Sequence, residues 1–408
     1  MIVSTISRQS RSDFKSGLFC AVFATFLIAT PAVSASSSTD LHTKKQQAQH
    51  HSRKSDAAHQ QRVRQIQHQA QRASLQQEAE ASPSYAKRAD VMAAAQEMAQ
   101  RLKLDMQWVQ ATVGQARKMD SIARAVLPPS SGMNKNWALY RSRFIEPIRI
   151  AAGVKFWRTN QATLERAERD TGVPASIIVG IIGVETIYGQ NTGNYRIIDA
   201  LTTLAFDFPK EHPRAESRAR YFRSELESYL QLTARTGTNP LALRGSYAGA
   251  MGMPQFMPSS WTQYAVDFDG DGRVDLFANP ADVIGSVANY FVAFKWKPGV
   301  PTHFAIDPDR NNPNAMATLL QPDIVPTFSA PTMANLGVKL DTAGQQYKGP
   351  LALIELQNGD QAPSYVAGTE NFYAITRYNW SSYYAMAVIE LGQAIANAMQ
   401  QTQQAALP

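Results

Sequence analysis

Glu185 is the residue of this chain best suited to acid–base chemistry. It lies in ASIIVGIIGVETIYGQNTG, residues 175–193. Ile177, Ile178, Ile181, Ile182 and Val184 make this stretch apolar nearly all round, which predicts a buried helix. Glu185 continues the stripe of Ile178, Ile181 and Ile182. A carboxylate there is costly to ionise. It also falls in the last turn, where the helix dipole disfavours negative charge. Both effects raise its pKa. A carboxyl group held neutral near pH 7 is what a general acid for glycosidic bonds requires. A structural glutamate paired with an arginine is the competing reading, and this helix alone does not separate the two.

A second cluster is DFDGDGRVD, residues 267–275. Asp267, Asp269 and Asp271 stand at positions 1, 3 and 5, with Gly272 at 6, as at the start of an EF-hand calcium loop. Arg273, at position 7, would offer its backbone carbonyl. Position 12 is Ala278 rather than Glu. The closing carboxylate would then come from Asp282 in a longer loop, or from Asp275. Ca²⁺ held here would be structural; an acidic turn without metal is the alternative. Two further segments could meet a sugar. GSYAGAMGMPQFMPSSW (245–261) sets Gln255 among small and aromatic residues, and ITRYNWSSYYAMAV (375–388) puts Tyr378, Asn379 and Tyr384 near a helix start. Taken singly, each reads better as packing.

Other chemistries are short of residues. Past residue 80 only His212 and His303 remain, so a zinc site built on histidines is disfavoured and a Ser-His-Asp triad would need one of those two. No phosphate-binding GxxxxGK[ST] loop is present. The formal charge of +7 points to an anionic partner. Arg8, Arg11 and Lys15, the short apolar run Gly17–Thr30 and the small residues ending at Ala35 read as a cleaved signal peptide. Cys20, the only cysteine, lies inside that run after bulky Phe19, which suits cleavage better than lipidation. The mature chain would then have no disulfide and no thiol nucleophile, and export sets nucleic acid aside as a partner. A soluble periplasmic protein is expected.

The elements that must position these groups are mostly helical. Residues 36–87 read as a polar, His- and Gln-rich tether, disordered or loosely helical, containing His42, His50, His51, His59 and His68. Helical spacing follows in Ala89–Leu102, Met106–Met119, Trp137–Ile150, Phe156–Arg169, Pro174–Tyr188, Arg218–Arg235 and Pro280–Lys295. The runs THFAI, DIVPTF and LALIEL within 299–370 read as strands, and 380–400 as a closing helix. The expected fold is α+β, mainly α. Its domains would be a 1–35 signal peptide, the 36–87 tether, an 88–170 helical region, a 171–298 catalytic core, a 299–370 β-containing subdomain and a 371–408 helix returning to the core.

In combination, GIIGVETIYG, ALTTLAFDFP, GSYAGAMGMPQFMPSSWTQYAVDFDGDG, IGSVANYF and FYAITRYNWSSYYAMAV resemble the lytic murein transglycosylase B family, in that family's order. The resemblance implies a lysozyme-like helical core with an added N-terminal helical domain and a small β-containing insertion. It implies Glu185 as sole acid/base and places sugar-binding positions at Tyr140, Ser246, Gln255, Phe256, Tyr378, Asn379 and Tyr384, with an arginine near Arg218. It implies calcium on Asp267, Asp269, Asp271, the Arg273 carbonyl and Asp282. The substrate would be the peptidoglycan glycan strand, cut between MurNAc and GlcNAc with closure of a 1,6-anhydro ring. Asp199 and Asp207 lie in less apolar surroundings and lack the credentials of a second catalytic carboxylate. A hydrolytic muramidase and a non-catalytic wall-binding scaffold, its tether recruiting cell-wall proteins, are the competing readings.

Overall fold

The computed structural model describes residues 62–63, 65–127 and 135–404. The expected signal peptide, Cys20 and four tether histidines (His42, His50, His51, His59) lie outside the described residues. The chain forms two compact units that alternate along the sequence. One takes its described residues from Pro128–Thr192 and Ala250–Pro408, the other from Ala21–Leu127 and Gly193–Gly249. The architecture is mainly helical with small antiparallel sheets, as expected.

The first unit is organised around two helices, Ala175–Thr186 and Ser382–Gln404. They meet backbone to backbone. A Cβ added at Gly180 would stand 2.3 Å from the Val388 carbonyl oxygen, and one at Gly392 2.1 Å from that of Ser176. Only glycine fits either place. Ile178, Ile181 and Ile182 of one helix and Val388, Leu391 and Ile395 of the other are buried at this seam and around it.

Helix boundaries depart from the apolar spacing where a capping group intervenes. The expected Trp137–Ile150 helix breaks into Trp137–Ser142 and Pro147–Thr159. Pro147 has no N–H to give to a preceding turn, and the Glu146 carboxylate caps the new helix by accepting from the amides of Ile148 and Arg149. Likewise Phe156–Arg169 spans two helices that meet at Asn160, whose Nδ2 donates to the Phe156 carbonyl at 2.8 Å. Pro174 sits at the N-cap rather than in the first turn, and the helix ends at Thr186, before Gly189.

The same unit carries a four-stranded antiparallel sheet in the spatial order Val338–Leu340, His303–Pro308, Gln361–Gly368, Ala352–Asn358. Phe304, Leu340, Leu353 and Ala367 pack beneath it with Leu319 and Met333. DIVPTF is not a strand: Pro326 removes a ladder donor, and only an isolated bridge of Phe328 to Leu351 forms.

The second unit contains Ala89–Leu102, Met106–Gly114, Asp120–Ala125, Ile197–Phe206 and Ala215–Thr236. Residues 65–81 of the expected tether form a further helix, with Leu75 buried. Helix Ile197–Phe206 escaped the sequence reading because it is buried on nearly every side and shows no polar face. Its Asp199, 2% exposed, accepts from Arg196 Nε and Nη2 at 2.7 Å each and from the Arg117 amide at 2.8 Å. That last bond takes the Arg117 amide out of any helix, so the expected Met106–Met119 helix stops at Gly114.

The glycine seam gives a direct expectation. Gly180→Ala gains about 1 kcal/mol of helix propensity but forces the two helices apart, an overpacking cost of about 1–3 kcal/mol. Thermal melts should show a lower Tm for Gly180→Ala and for Gly392→Ala. An unchanged or higher Tm in both would contradict backbone contact at this seam.

Candidate active site

Glu185 is the penultimate residue of Ala175–Thr186 and keeps part of its surface accessible, while Val184 and Thr186 on either side are buried. The Tyr384 hydroxyl donates to Glu185 Oε1 at 2.5 Å. Burial pushes the Glu185 carboxyl up to about 8, and the bond from Tyr384 works against that rise. No carboxylate contributes to the shift. Four tyrosines, Tyr140, Tyr290, Tyr378 and Tyr384, are held far above their ordinary pKa, first by burial and in part by the charge of Glu185. They therefore remain neutral around it, with the Tyr384 hydroxyl donating to Glu185.

The chain after Glu185 is strained. Ile187, Tyr188 and Gly189 have φ of 53°, 58° and 85°, a left-handed run that is unfavourable for a β-branched residue. Several bonds fix it. The Ile187 and Tyr188 amides donate to Gly183 and Ile182 carbonyls. Gly189 N–H donates to Thr186 Oγ1 at 3.0 Å, and that hydroxyl donates to the Met253 carbonyl at 2.8 Å. The Tyr188 ring stacks on Phe156 with centroids 5.1 Å apart. Arg149 Nη1 donates to the Gly183 carbonyl at 2.5 Å, meeting the exposed carbonyl end of the helix. Arg149 and Tyr290 were not found from sequence. Arg149 comes from another helix and carries no local signal; Tyr290 lies in IGSVANYF, where it reads as core.

The Gln255 segment is a tight turn. Met251 and Phe256 exchange both backbone bonds, at 2.8 and 3.0 Å. Gly252, with φ of 72°, leaves no room for a Cβ, which would meet the Leu276 carbonyl oxygen at 2.5 Å. Gln255 itself has φ of 53°. Its Nε2 donates to the carbonyls of Thr192 and Gly252 at 3.1 and 2.9 Å, leaving the side-chain oxygen as the group for a ligand. Phe256 is 2% exposed and packs on Tyr290 and Tyr378, so it shapes the site from behind and offers no open face to a sugar.

Tyr378 ends helix Glu370–Tyr378 just before helix Ser382–Gln404 starts, as expected, and its hydroxyl donates to the Pro254 carbonyl at 2.5 Å. Its ring lies nearly parallel to that of Tyr384, 6.4 Å away. Asn379 comes next, in extended backbone. It is 6% exposed, and its Oδ1 has no hydrogen-bond partner among the described residues. Tyr140 packs between Trp137, Phe144 and Tyr383.

Ser246 and Arg218 belong to the other unit. Ser246 Oγ accepts from the Ala248 amide at 3.3 Å, and the Arg218 guanidinium lies over Tyr221 and Phe222. Asp199 and Asp207 are in that unit too. The expectation of less apolar surroundings is corrected for Asp199, which is buried. Both carboxylates are nonetheless engaged, Asp199 by Arg196 and Asp207 by the Tyr85 hydroxyl at 2.6 Å and by Arg88.

In the acidic loop, carboxylate oxygens of Asp267, Asp269 and Asp282 lie within 4.8 Å of one another. Asp267 folds the turn by accepting from the amides of Gly270, Asp271 and Gly272. Asp282 is buried at the start of Pro280–Ala293 and accepts from the amides of Phe268 and Asp275. Burial raises its pKa, and the charges of Asp269 and Asp267 add to the rise. Three hard oxygens that repel one another on a preformed turn fit a divalent cation of the calcium type. Asp271 is not in this group; its Oδ1 accepts the Arg273 amide. Asp275, the alternative ligand, is occupied in capping Phe277 and Ala278.

Comparison with known proteins gives a consistent set of likenesses. The transglycosylase SLT domain family matches residues 86–393. The chain is 40% identical over 321 residues to membrane-bound lytic murein transglycosylase B of Escherichia coli (strain K12), covering 76% of this chain and 84% of that protein. The structure of the E. coli lytic transglycosylase Slt35 in complex with calcium matches with a TM-score of 0.67 at 39% identity, over 78% of this chain and 96% of that one. Pseudomonas aeruginosa SltB3 in complex with NAG-anhNAM-pentapeptide matches with a TM-score of 0.63 at 27% identity, over 75% and 78% of the two chains.

The environment of Glu185 fixes the sign of a titration. Its carboxyl should titrate near pH 8, followed by ¹³C NMR of labelled glutamate. The Tyr384 bond stabilises the charged form, so Tyr384→Phe should move the midpoint upward. A midpoint that falls, or one in the ordinary carboxylate range for the unaltered chain, would contradict the burial argument.

Proposed function

We propose, from the premise that the chain belongs to the transglycosylase SLT domain family and is a peptidoglycan lytic transglycosylase, that Glu185 is its sole general acid and base. The observation that carries this reading is a carboxyl raised to about 8 by burial, ringed by neutral tyrosines, with no second carboxylate in its electrostatic surroundings. At pH 7 such a group is protonated by about ten to one. Tyr384 engages Oε1, which leaves the other oxygen to carry the proton.

The reaction uses these groups in turn. Glu185 gives its proton to the oxygen bridging MurNAc and GlcNAc, and the GlcNAc side leaves with that oxygen as a hydroxyl. Positive charge develops at C1 of the muramoyl ring. An ordinary retaining glycosidase would meet it with a second carboxylate. Here the substrate's own acetamido oxygen bonds to C1 instead. Ionised Glu185 then takes the proton of the C6 hydroxyl, and O6 displaces the acetamido oxygen at C1. The product is a 1,6-anhydro ring; Glu185 regains its proton and no water is consumed. Asn379, with a buried oxygen lacking a partner, is placed to accept from the acetamido N–H. Tyr384 holds Glu185 Oε1, Tyr378 and Tyr140 supply aromatic walls, and Gln255 a carbonyl oxygen. Ser246 and Arg218 are assigned to glycan binding on the resemblance alone.

Calcium is assigned to Asp267, Asp269 and Asp282 as a structural ion, with Asp271 and the Arg273 carbonyl as further ligands on the resemblance. The signal-like first 35 residues support a periplasmic location. No helix among the described residues is long and apolar enough to cross a membrane.

Two experiments test this reading. Glu185→Gln should keep its fold and lose cleavage of peptidoglycan by at least about 10²-fold, while mass spectrometry of wild-type digests shows anhydro ends without added water. Near-normal turnover by the variant, or products heavier by one water, would overturn the assignment. For the metal, added Ca²⁺ should raise the Tm of the wild type, and Asp282→Asn should remove that response. An equal rise in the variant would place the ion elsewhere.

A further inference from the structure

We propose a second glycan-binding site at Trp108, on the unit that does not carry Glu185, for a β-1,4-linked N-acetylamino sugar strand. The ligand class rests on the function proposed above; the site itself rests on independent geometry. Two chain segments far apart in sequence, 104–108 and 233–240, line an open cleft of about 480 Å³. That size lies in the range of small-ligand sites. Its lining includes Trp108, Asp105, Gly237, Thr238, Asn239 and Pro240.

Trp108 is half-buried and stacks on no other ring among the described residues. Its Nε1 likewise has no hydrogen-bond partner among them. Trp296 Nε1 by comparison donates to the Gly172 carbonyl and Trp380 Nε1 to Asp323, while Trp108 lines the cleft. The Trp108 N–H is not a buried unpartnered group, so it is open to solvent and to a ligand acceptor. A sugar provides both a hydroxyl for that donor and an apolar face for the ring.

The polar groups around it are of both kinds. Asp105 uses Oδ1 to cap the Trp108 amide at 2.7 Å, which leaves Oδ2 as an acceptor. Asn239 uses Oδ1 for the Leu241 amide at 2.9 Å, which leaves Nδ2 as a donor. The walls are fixed: the Tyr229 hydroxyl donates to the Pro240 carbonyl at 2.7 Å, and the Thr238 amide to the Thr233 carbonyl at 3.1 Å. Gly237 opens the rim, since a Cβ there would meet nothing within 4 Å. No Lys or Arg lines the cavity. A phosphate or other anion therefore finds no counter-charge, whereas a neutral polyhydroxyl ligand finds a flat ring, an acceptor and a donor. Such a site would hold the enzyme on its polymer between cuts.

The test titrates ¹⁵N-labelled full-length protein with chitotetraose and follows the Trp108 indole N–H, identified by its loss in Trp108→Phe. A saturable shift is expected. Asn239→Ala should weaken it about tenfold, the equivalent of one lost polar contact. Trp108→Ala should cleave short soluble muropeptide oligomers at the wild-type rate but bind and digest intact sacculi about tenfold less well, and Trp108→Tyr, which keeps a stacking face, should recover part of that loss. Thermal melts check that each variant folds. An indole resonance indifferent to chitotetraose, a shift produced only by free stem peptide, or a Trp108→Ala variant that binds sacculi as the wild type does would overturn the proposal. Failure of the underlying function would read differently: the wild type would release no anhydro product from either substrate, whatever the indole does.

Discussion

The antiparallel contact between helices Ala175–Thr186 and Ser382–Gln404 governs the site. Gly180 lies against Val388, and Ser176, four residues earlier, lies against Gly392, four residues later. Continuing that register the other way, five residues along one helix and four along the other, brings Glu185 to Tyr384, the observed hydrogen bond. The acid and its partner are thus set by backbone packing over several turns rather than by a local loop. A bulkier residue at either glycine would shift the register at its far end, where tenths of an ångström matter to a hydrogen bond.

The backbone beyond Glu185 is as constrained as the helix before it. The left-handed run Ile187–Gly189 costs free energy at a β-branched residue, and it is held by Thr186, whose hydroxyl links the Gly189 amide to the Met253 carbonyl. This ties the end of the glutamate helix to the turn that carries Gln255. The tyrosine cage adds the electrostatic half. The Tyr384 hydroxyl donates to the carboxyl, while those of Tyr290 and Tyr378, packed ring to ring, donate to the Arg377 and Pro254 carbonyls. Desolvation raises the glutamate, and one short bond from Tyr384 moderates the rise.

Glu185 was legible because an ionisable group on an all-apolar helix is a local anomaly. The acidic turn was legible because alternate aspartates with glycine at the sixth position form a local pattern. Asp282 needed more than pattern, since the chain folds helix Pro280–Ala293 back onto the turn and only this brings the third carboxylate in. Arg149 was illegible for the same reason: its partner is a carbonyl 34 residues away. Helix Ile197–Phe206 gave no periodic signal, because a segment buried on all sides has no polar face to reveal its period. Breaks at Glu146 and Asn160 were hidden because apolar spacing runs through them, and side-chain caps, rather than a change of spacing, interrupt the helix.

Helix Pro280–Ala293 joins the two chemically active regions within one unit. Its first turn holds Asp282, where the helix dipole favours a negative charge and where the amides of Phe268 and Asp275 are received. Nearer its other end it carries Tyr290, whose hydroxyl donates to the Arg377 carbonyl and whose ring lies 4.7 Å from that of Tyr378. Midway, Gly285 lets the Phe268 ring approach to where a Cβ would stand only 2.3 Å from it. The acidic loop is thereby pressed onto the helix that positions one wall of the tyrosine cage. A cation that neutralises three mutually repelling carboxylates would relieve strain at one end of a rigid rod whose other end borders the acid. A structural ion placed in this way would act on the site through order alone, without touching the substrate.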